Sequence, residues 1–143
     1  MIGLDIGEKR VGVAVSDTTL RVATPLAVLQ GPLSADSRAL RRLVEDYEAE
    51  ALVVGLPLTL AGEEGPQAER VRAEAQRLGE ALAVRIVFHD ERLSSAEAQK
   101  VMTASGMSER QRRGSVDMVA AGLVLQSYLD SDGPRRDGIV TDE

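Results

Sequence analysis

The chain has 143 residues with no cysteine, 43% hydrophobic and 28% charged side chains, 2% aromatics and a formal net charge of −6. This length fits one domain that needs no staple to fold, and the missing thiols exclude a disulfide framework and any thiolate-based zinc or iron–sulfur site. The acidic balance argues against general coating of nucleic acid, which shows as a basic domain, and leaves brief, local engagement open.

Residues 2–6 (IGLDI) and 11–17 (VGVAVSD) read as strands joined by the short turn GEKR, a hairpin signal. ATPLAVL at 23–29 reads as a third strand, and Pro25 places it at a sheet edge or delays its pairing. After the turn residues of GPLSADS, the apolar residues Ala39, Leu40, Leu43, Val44 and Tyr47 recur at helical spacing and predict a helix over 36–47. ALVVGLP at 51–57 is a continuous apolar run of the kind found in a central parallel strand. The glycine-containing loop TLAGEEGP leads into a helix over 67–82 with Val71, Ala75, Leu78 and Leu82 as its inner stripe. VRIVFHD, 84–90, reads as a strand; SSAEAQKVMTAS, 94–105, as a helix; SVDMVAAGLVLQSYL, 115–129, as the most apolar helix. The remaining residues, 131–143, lack periodicity and are expected to form a disordered acidic tail beyond a domain spanning 1–130. With few aromatics the core must be built from Val, Leu, Ile and Ala. The N-terminus shows no basic region or cleavage signature, and no apolar run approaches the ~20 residues that span a bilayer, so a cytoplasmic protein is expected. The element order predicts an α/β domain: a mixed five-stranded sheet, three antiparallel strands then parallel ones, with flanking helices.

One residue breaks the pattern of the first strand. Asp5 stands between Leu4 and Ile6, and a carboxylate drawn out of water is costly unless something compensates it. Alternation puts Ile2, Leu4 and Ile6 on one face and Gly3, Asp5 and Gly7 on the other. The next strand repeats the asymmetry, with Val11, Val13 and Val15 opposite Gly12, Ala14 and Ser16. The Asp5 face is thus lined by small residues, which leaves room for a closely packed helix that Asp5 caps, or for further acids and a metal ion. Asp90 and Glu91 lie just past the strand VRIVF, where sites in open α/β sheets form. Asp117 shares a helix face with Ala120, Ala121 and Val124, small enough for that helix to approach the sheet; alternatively it serves only the helix dipole. Carboxylates converging on one sheet edge would repel one another, and hard oxygen donors without cysteine suit Mg²⁺ or Mn²⁺. Such ions support phosphodiester cleavage, so the residues alone point to metal-dependent phosphoryl chemistry.

GLDIGEKRVGVAVSD, VVGLPL, DERLSSAEA and RRGSVDMVAAGLVLQSYL together resemble, in order, the motifs of the bacterial YqgF/RuvX family, over about residues 2–130. That family is described as Holliday-junction-resolvase-like proteins and candidate nucleases of ribosomal RNA precursors. The resemblance implies an RNase H-like fold and, carried over position by position, a catalytic and metal-binding triad of Asp5, Glu91 and Asp117 holding Mg²⁺ or Mn²⁺. Ser94 and Ser95 stand where many members have two threonines, which keeps the hydroxyls. Resolvases of this fold carry an acid after the central strand; here that place reads Leu56, Pro57, Leu58, so Glu91 must substitute from the neighbouring strand. Lys9, Arg10, Arg92, Arg110, Arg112 and Arg113 are candidate nucleic-acid contacts, Arg10 and Arg113 foremost, with a solvated surface cation as the plain alternative for each. His89 reads as a strand-end residue with a satisfied hydrogen bond, and the loop Thr59 to Gly65 as either a flap near the site or a connector. The leading reading is a metal-dependent endonuclease acting on structured DNA or precursor ribosomal RNA, as a homodimer if it resolves two strands symmetrically. A nucleic-acid or ribosome-associated binding protein with vestigial catalysis is the alternative, and an actin-like phosphotransferase is set aside because it needs two domains around a cleft.

Overall fold

Strand β1 (Ile2–Ile6) turns back on β2 (Arg10–Ser16) through a hydrogen bond from the Gly7 N–H to the Arg10 carbonyl at 2.9 Å, so GEKR forms the predicted hairpin turn. The computed structural model describes residues 1–93 and 116–139. β3 (Ala23–Gln30) pairs antiparallel with β2 at the sheet edge; β4 (Ala51–Leu56) and β5 (Arg85–Asp90) add in parallel on the other side of β1, giving the order β3-β2-β1-β4-β5. This is the predicted mixed five-stranded sheet. Pro25 sits where edge geometry tolerates it, opposite Ala14, with a register shift between Val13 and Ala14.

The two faces of the sheet are covered by different helices. Ile2, Leu4, Ile6, Val11, Val13, Leu52, Val54 and Leu56 pack against α1 (Arg38–Asp46) and α2 (Pro66–Leu82), to which the expected stripe of Val71, Ala75, Leu78 and Leu82 contributes. On α1 the stripe is narrower than its spacing predicts: Leu40 is fully buried, Leu43 and Val44 are half-buried, and Tyr47 is exposed because it is the C-cap residue past the last turn. The opposite face, lined by Ala14, Ala51, Val53 and Val87, receives α3 (Val116–Asp130) through Ala121, Val124, Leu125 and Tyr128. At about 25 cal/mol per Å² of apolar surface, burial on both faces is what holds the layers together. No helix among the described residues is long and apolar enough to cross a membrane.

The expected disordered tail is corrected at residues 131–139. Gly133–Arg136 forms a short helix, α4, with Gly133 and Pro134 buried. The Tyr128 hydroxyl donates to Asp137 Oδ2 at 2.7 Å, and the Ile139 N–H donates to the Pro134 carbonyl at 2.7 Å. One buried proline and one aromatic hydroxyl anchor this segment without any periodic stripe, so hydrophobic spacing carries no trace of it. The predicted helix at 94–105, Ser94 and Ser95, the cations Arg110, Arg112 and Arg113, the start of the last helix at 115 and residues 140–143 lie outside the described residues.

Candidate active site

Asp5 lies on the α3-facing side of β1, directly across from Gly12 of β2. A Cβ at Gly12 would stand 1.9 Å from the Asp117 carbonyl oxygen and 2.9 Å from the Met118 nitrogen. The first turn of α3 therefore rests on bare β2 backbone, a contact any other residue at position 12 would block. That seating carries Asp117 near enough to Asp5 for its charge to act on the Asp5 carboxyl.

Glu91 reaches Asp5 from the other direction. It opens a 3₁₀ turn (Glu91–Leu93) at the carboxyl end of β5, and β4 stands between β5 and β1. Asp90 fixes that turn by accepting the Arg92 backbone N–H on Oδ1 at 2.9 Å, an Asx-type cap. Glu91 then crosses β4 above Gly55, where a Cβ would lie 2.8 Å from Glu91 Oε1 and 2.9 Å from its Cγ. With no side chain in the way, the Glu91 carboxyl donates a hydrogen bond to the Asp5 carboxylate. Burial first, then the charge and hydrogen bond of Asp5 and the charge of Asp90, push Glu91 up to about 7. Asp5 is raised as well, by burial and by Asp117, while its bond from Glu91 pulls the other way. Two carboxyls that share a proton at neutral pH are costly to keep for packing alone, and such perturbed pairs concentrate at functional sites.

Asp117 completes the acidic group differently from expectation. Its Oδ2 lies 3.4 Å from Arg10 Nε, both side chains reaching solvent. Among the described residues no three of His, Cys, Asp or Glu stand close enough together to hold one metal ion. The structure thus brings Asp5 and Glu91 together, with Asp117 alongside and paired to Arg10. The donor chemistry nevertheless fits a hard divalent cation: all oxygens, two of them competing for one proton that a cation would replace.

Of the other predicted residues, Lys9 is exposed in the β1–β2 turn next to Arg10. Arg92 is engaged within the protein: Nε contacts both Asp90 carboxylate oxygens at 3.1 Å, Nη2 donates to Oδ2 at 2.7 Å, and Nη1 donates to the Leu60 carbonyl at 3.3 Å. His89 is buried, its Nε2 is 2.9 Å from Ser127 Oγ, and burial lowers its imidazole pKa. The sequence reading placed Gly12 among the small residues that leave room for a closely packed helix, and missed the parts played by Gly55 and Asp90. A lone glycine inside the apolar run ALVVGLP was the available signal for Gly55, because glycine in a strand often marks a close approach.

The RuvX family model, described as Holliday junction resolvase, matches residues 1–131. A protein of Roseiflexus sp. (strain RS-1), named "Putative pre-16S rRNA nuclease", is 42% identical over 132 residues, covering 92% of this chain and 94% of its own. A protein of the same name from Anaeromyxobacter sp. (strain K) is 43% identical over 134 residues, covering 93% of this chain and 98% of its own. Among solved structures, Thermus thermophilus RuvC in complex with a Holliday junction substrate superposes with a TM-score of 0.54 at 13% identity, over 90% of this chain and 94% of that one. A second Thermus thermophilus RuvC structure gives a TM-score of 0.53 at 13% identity, over 96% of this chain and 97% of that one. At that identity they establish the fold, which is RNase H-like.

Proposed function

The chain belongs to the RuvX family, and on that premise we propose that this nuclease is a divalent-metal-dependent endonuclease cutting structured nucleic acid, precursor 16S ribosomal RNA first and a four-way DNA junction second. The observation that carries the reading is the Asp5–Glu91 pair, seated over Gly55 with Asp117 alongside. The names of the curated relatives favour the RNA substrate. Asp5 and Asp117 would hold Mg²⁺ or Mn²⁺, with Glu91 completing the site. When bound, such an ion lowers the pKa of a water and stabilises the oxygen that leaves phosphorus. The chain's own residues do the rest. Glu91, reaching over Gly55 to Asp5, stands where its carboxylate can take a proton from water. Asp5, fixed in β1 opposite Gly12 of β2, gives the group a rigid origin. Lys9 and Arg10 stand at the rim, where a phosphate would approach Asp117. The cytoplasm is the compartment this activity needs, and a homodimer goes with the junction substrate alone.

The test is cleavage by wild type and Asp5→Asn of a labelled precursor 16S rRNA fragment and a labelled four-way junction, with Mg²⁺, Mn²⁺ or EDTA. Expected is metal-dependent cutting of the RNA that drops at least about a hundredfold in the variant. Cutting of the junction in preference would move the substrate to DNA. Binding of either probe by wild type without cutting in any metal would defeat the catalytic reading in favour of a binding protein.

A further inference from the structure

Arg92 was expected to touch phosphate, yet its exposed guanidinium is engaged by the protein itself. Three contacts of Nε and Nη2 go to Asp90, at 3.1, 3.1 and 2.7 Å, and Nη1 reaches the Leu60 carbonyl at 3.3 Å. The carbonyl it holds belongs to the loop after β4. That loop is internally bonded: the Gly62 N–H donates to the Thr59 carbonyl at 2.8 Å and the Thr59 N–H to the Glu63 carbonyl at 2.9 Å. Gly62, at φ +82°, would place a Cβ 3.3 Å from Arg92 Nη2, so the guanidinium lies directly against the turn. Burial does not hold the tip in place, for Leu60 is 99% exposed. The far end of the loop is pinned separately, Glu64 pairing with Arg72, whose guanidinium lies 4.5 Å from the Phe88 ring centre.

Glu91 and Arg92 are consecutive in one 3₁₀ turn. The element that aims Glu91 across Gly55 at Asp5 therefore also carries the anchor of the loop. We propose that Arg92 is a positioning residue: it clasps the loop Thr59–Gly65 to the Glu91 turn, making that loop a fixed wall beside the carboxylates that sets how a nucleic-acid strand is presented to them. The catalytic consequence rests on the nuclease reading; the clasp itself does not.

A phosphate contact and a clasp respond differently to lysine. Lysine keeps the charge and still serves a phosphate, but it cannot supply the planar fork that spans Asp90 and Leu60. The experiment compares wild type, Arg92→Lys and Arg92→Ala. Amide hydrogen exchange of the free chain comes first, with Gly62 and Thr59 as reporters and the β1–β2 ladder as internal control. Both variants are expected to exchange roughly tenfold faster at the loop reporters, the size of one lost charge-assisted hydrogen bond, with the ladder unchanged. Single-turnover cleavage of the precursor 16S rRNA fragment should then lose kcat to the same degree in both variants. The salt dependence of its binding should stay unchanged. The proposal is overturned if lysine restores wild-type loop protection, if neither variant alters it, or if the ladder accelerates equally. It is also overturned if alanine, but not lysine, reduces the salt slope by about 1, the signature of a phosphate contact. Wild type that cuts nothing defeats the nuclease reading, while the exchange result still decides the clasp.

Discussion

Glu91 keeps its proton near neutrality because four influences agree: burial penalises the charged form, Asp5 repels it, the hydrogen bond to Asp5 needs the proton, and Asp90 adds its charge. The consequence for stability has a definite sign. The folded value of about 7 lies above the ordinary glutamate value of 4.5 in an unfolded chain, so the native state binds more protons between the two. The stabilisation is complete below the unfolded value and is lost as pH rises through about 7. Asp5, also raised, adds in the same direction. The metal-free chain should therefore lose melting temperature between pH 5 and pH 8, and Glu91→Gln should flatten that decline. Mg²⁺ should restore stability at pH 8 and do little at pH 5, where it must displace the proton. Thermal melts in EDTA and in Mg²⁺ at the two pH values check this. Parallel curves for wild type and Glu91→Gln would mean that the Asp5–Glu91 proton is not linked to folding.

Among the elements, α3 makes the site possible by lying closer to β2 than a side chain at position 12 permits. Gly12→Ala would force its new methyl into the Asp117 carbonyl, 1.9 Å away, so either β2 or the first turn of α3 must move. Overpacking of this kind costs about 1–3 kcal/mol. Here it should also displace Asp117 from Asp5 and Arg10. The expected outcome is a lower melting temperature together with a cleavage loss larger than the residual unfolding explains. Gly31→Ala, whose Cβ would meet nothing nearer than 3.5 Å, serves as the control and should retain activity. The sheet and most of the described helices were legible because their spacing is strong: period two in IGLDI and VGVAV, an unbroken run in ALVVGL, and an apolar stripe on α2. Asp5 was legible because a carboxylate inside an apolar strand requires a partner. The pairing of Asp117 with Arg10 was not, since chain position alone does not say which cation folding brings to which acid. The bonding of Arg92 was not legible for a related reason: composition marks an arginine beside an acid as a phosphate contact or a solvated charge, and only the fold shows Asp90 and Leu60 within its reach.

On the scale of the whole molecule, the folded unit extends past the predicted end at residue 130, and α3 joins two distant regions. Its first turn carries Asp117, and its last turns carry Tyr128, fully buried and bonded to Asp137 beyond α4. A chain ending at Asp130 would lose the burial of Gly133 and Pro134 and leave the Tyr128 hydroxyl without that acceptor. Losing that hydrogen bond costs about 1 kcal/mol beyond the lost apolar contact, which lowers the melting temperature of a domain this size by several degrees. The hydroxyl share of that loss can be isolated by removing the hydroxyl. Tyr128→Phe should destabilise the full chain, where the hydroxyl is satisfied, yet be neutral or stabilising in the chain that ends at Asp130. Chemical denaturation of the four proteins gives the coupling between residue 128 and the segment after 130. Strictly additive effects would show that the tail contributes only its apolar contact. A coupling near 1 kcal/mol would show that the Tyr128–Asp137 bond, invisible to any periodicity in the sequence, sets where this domain ends.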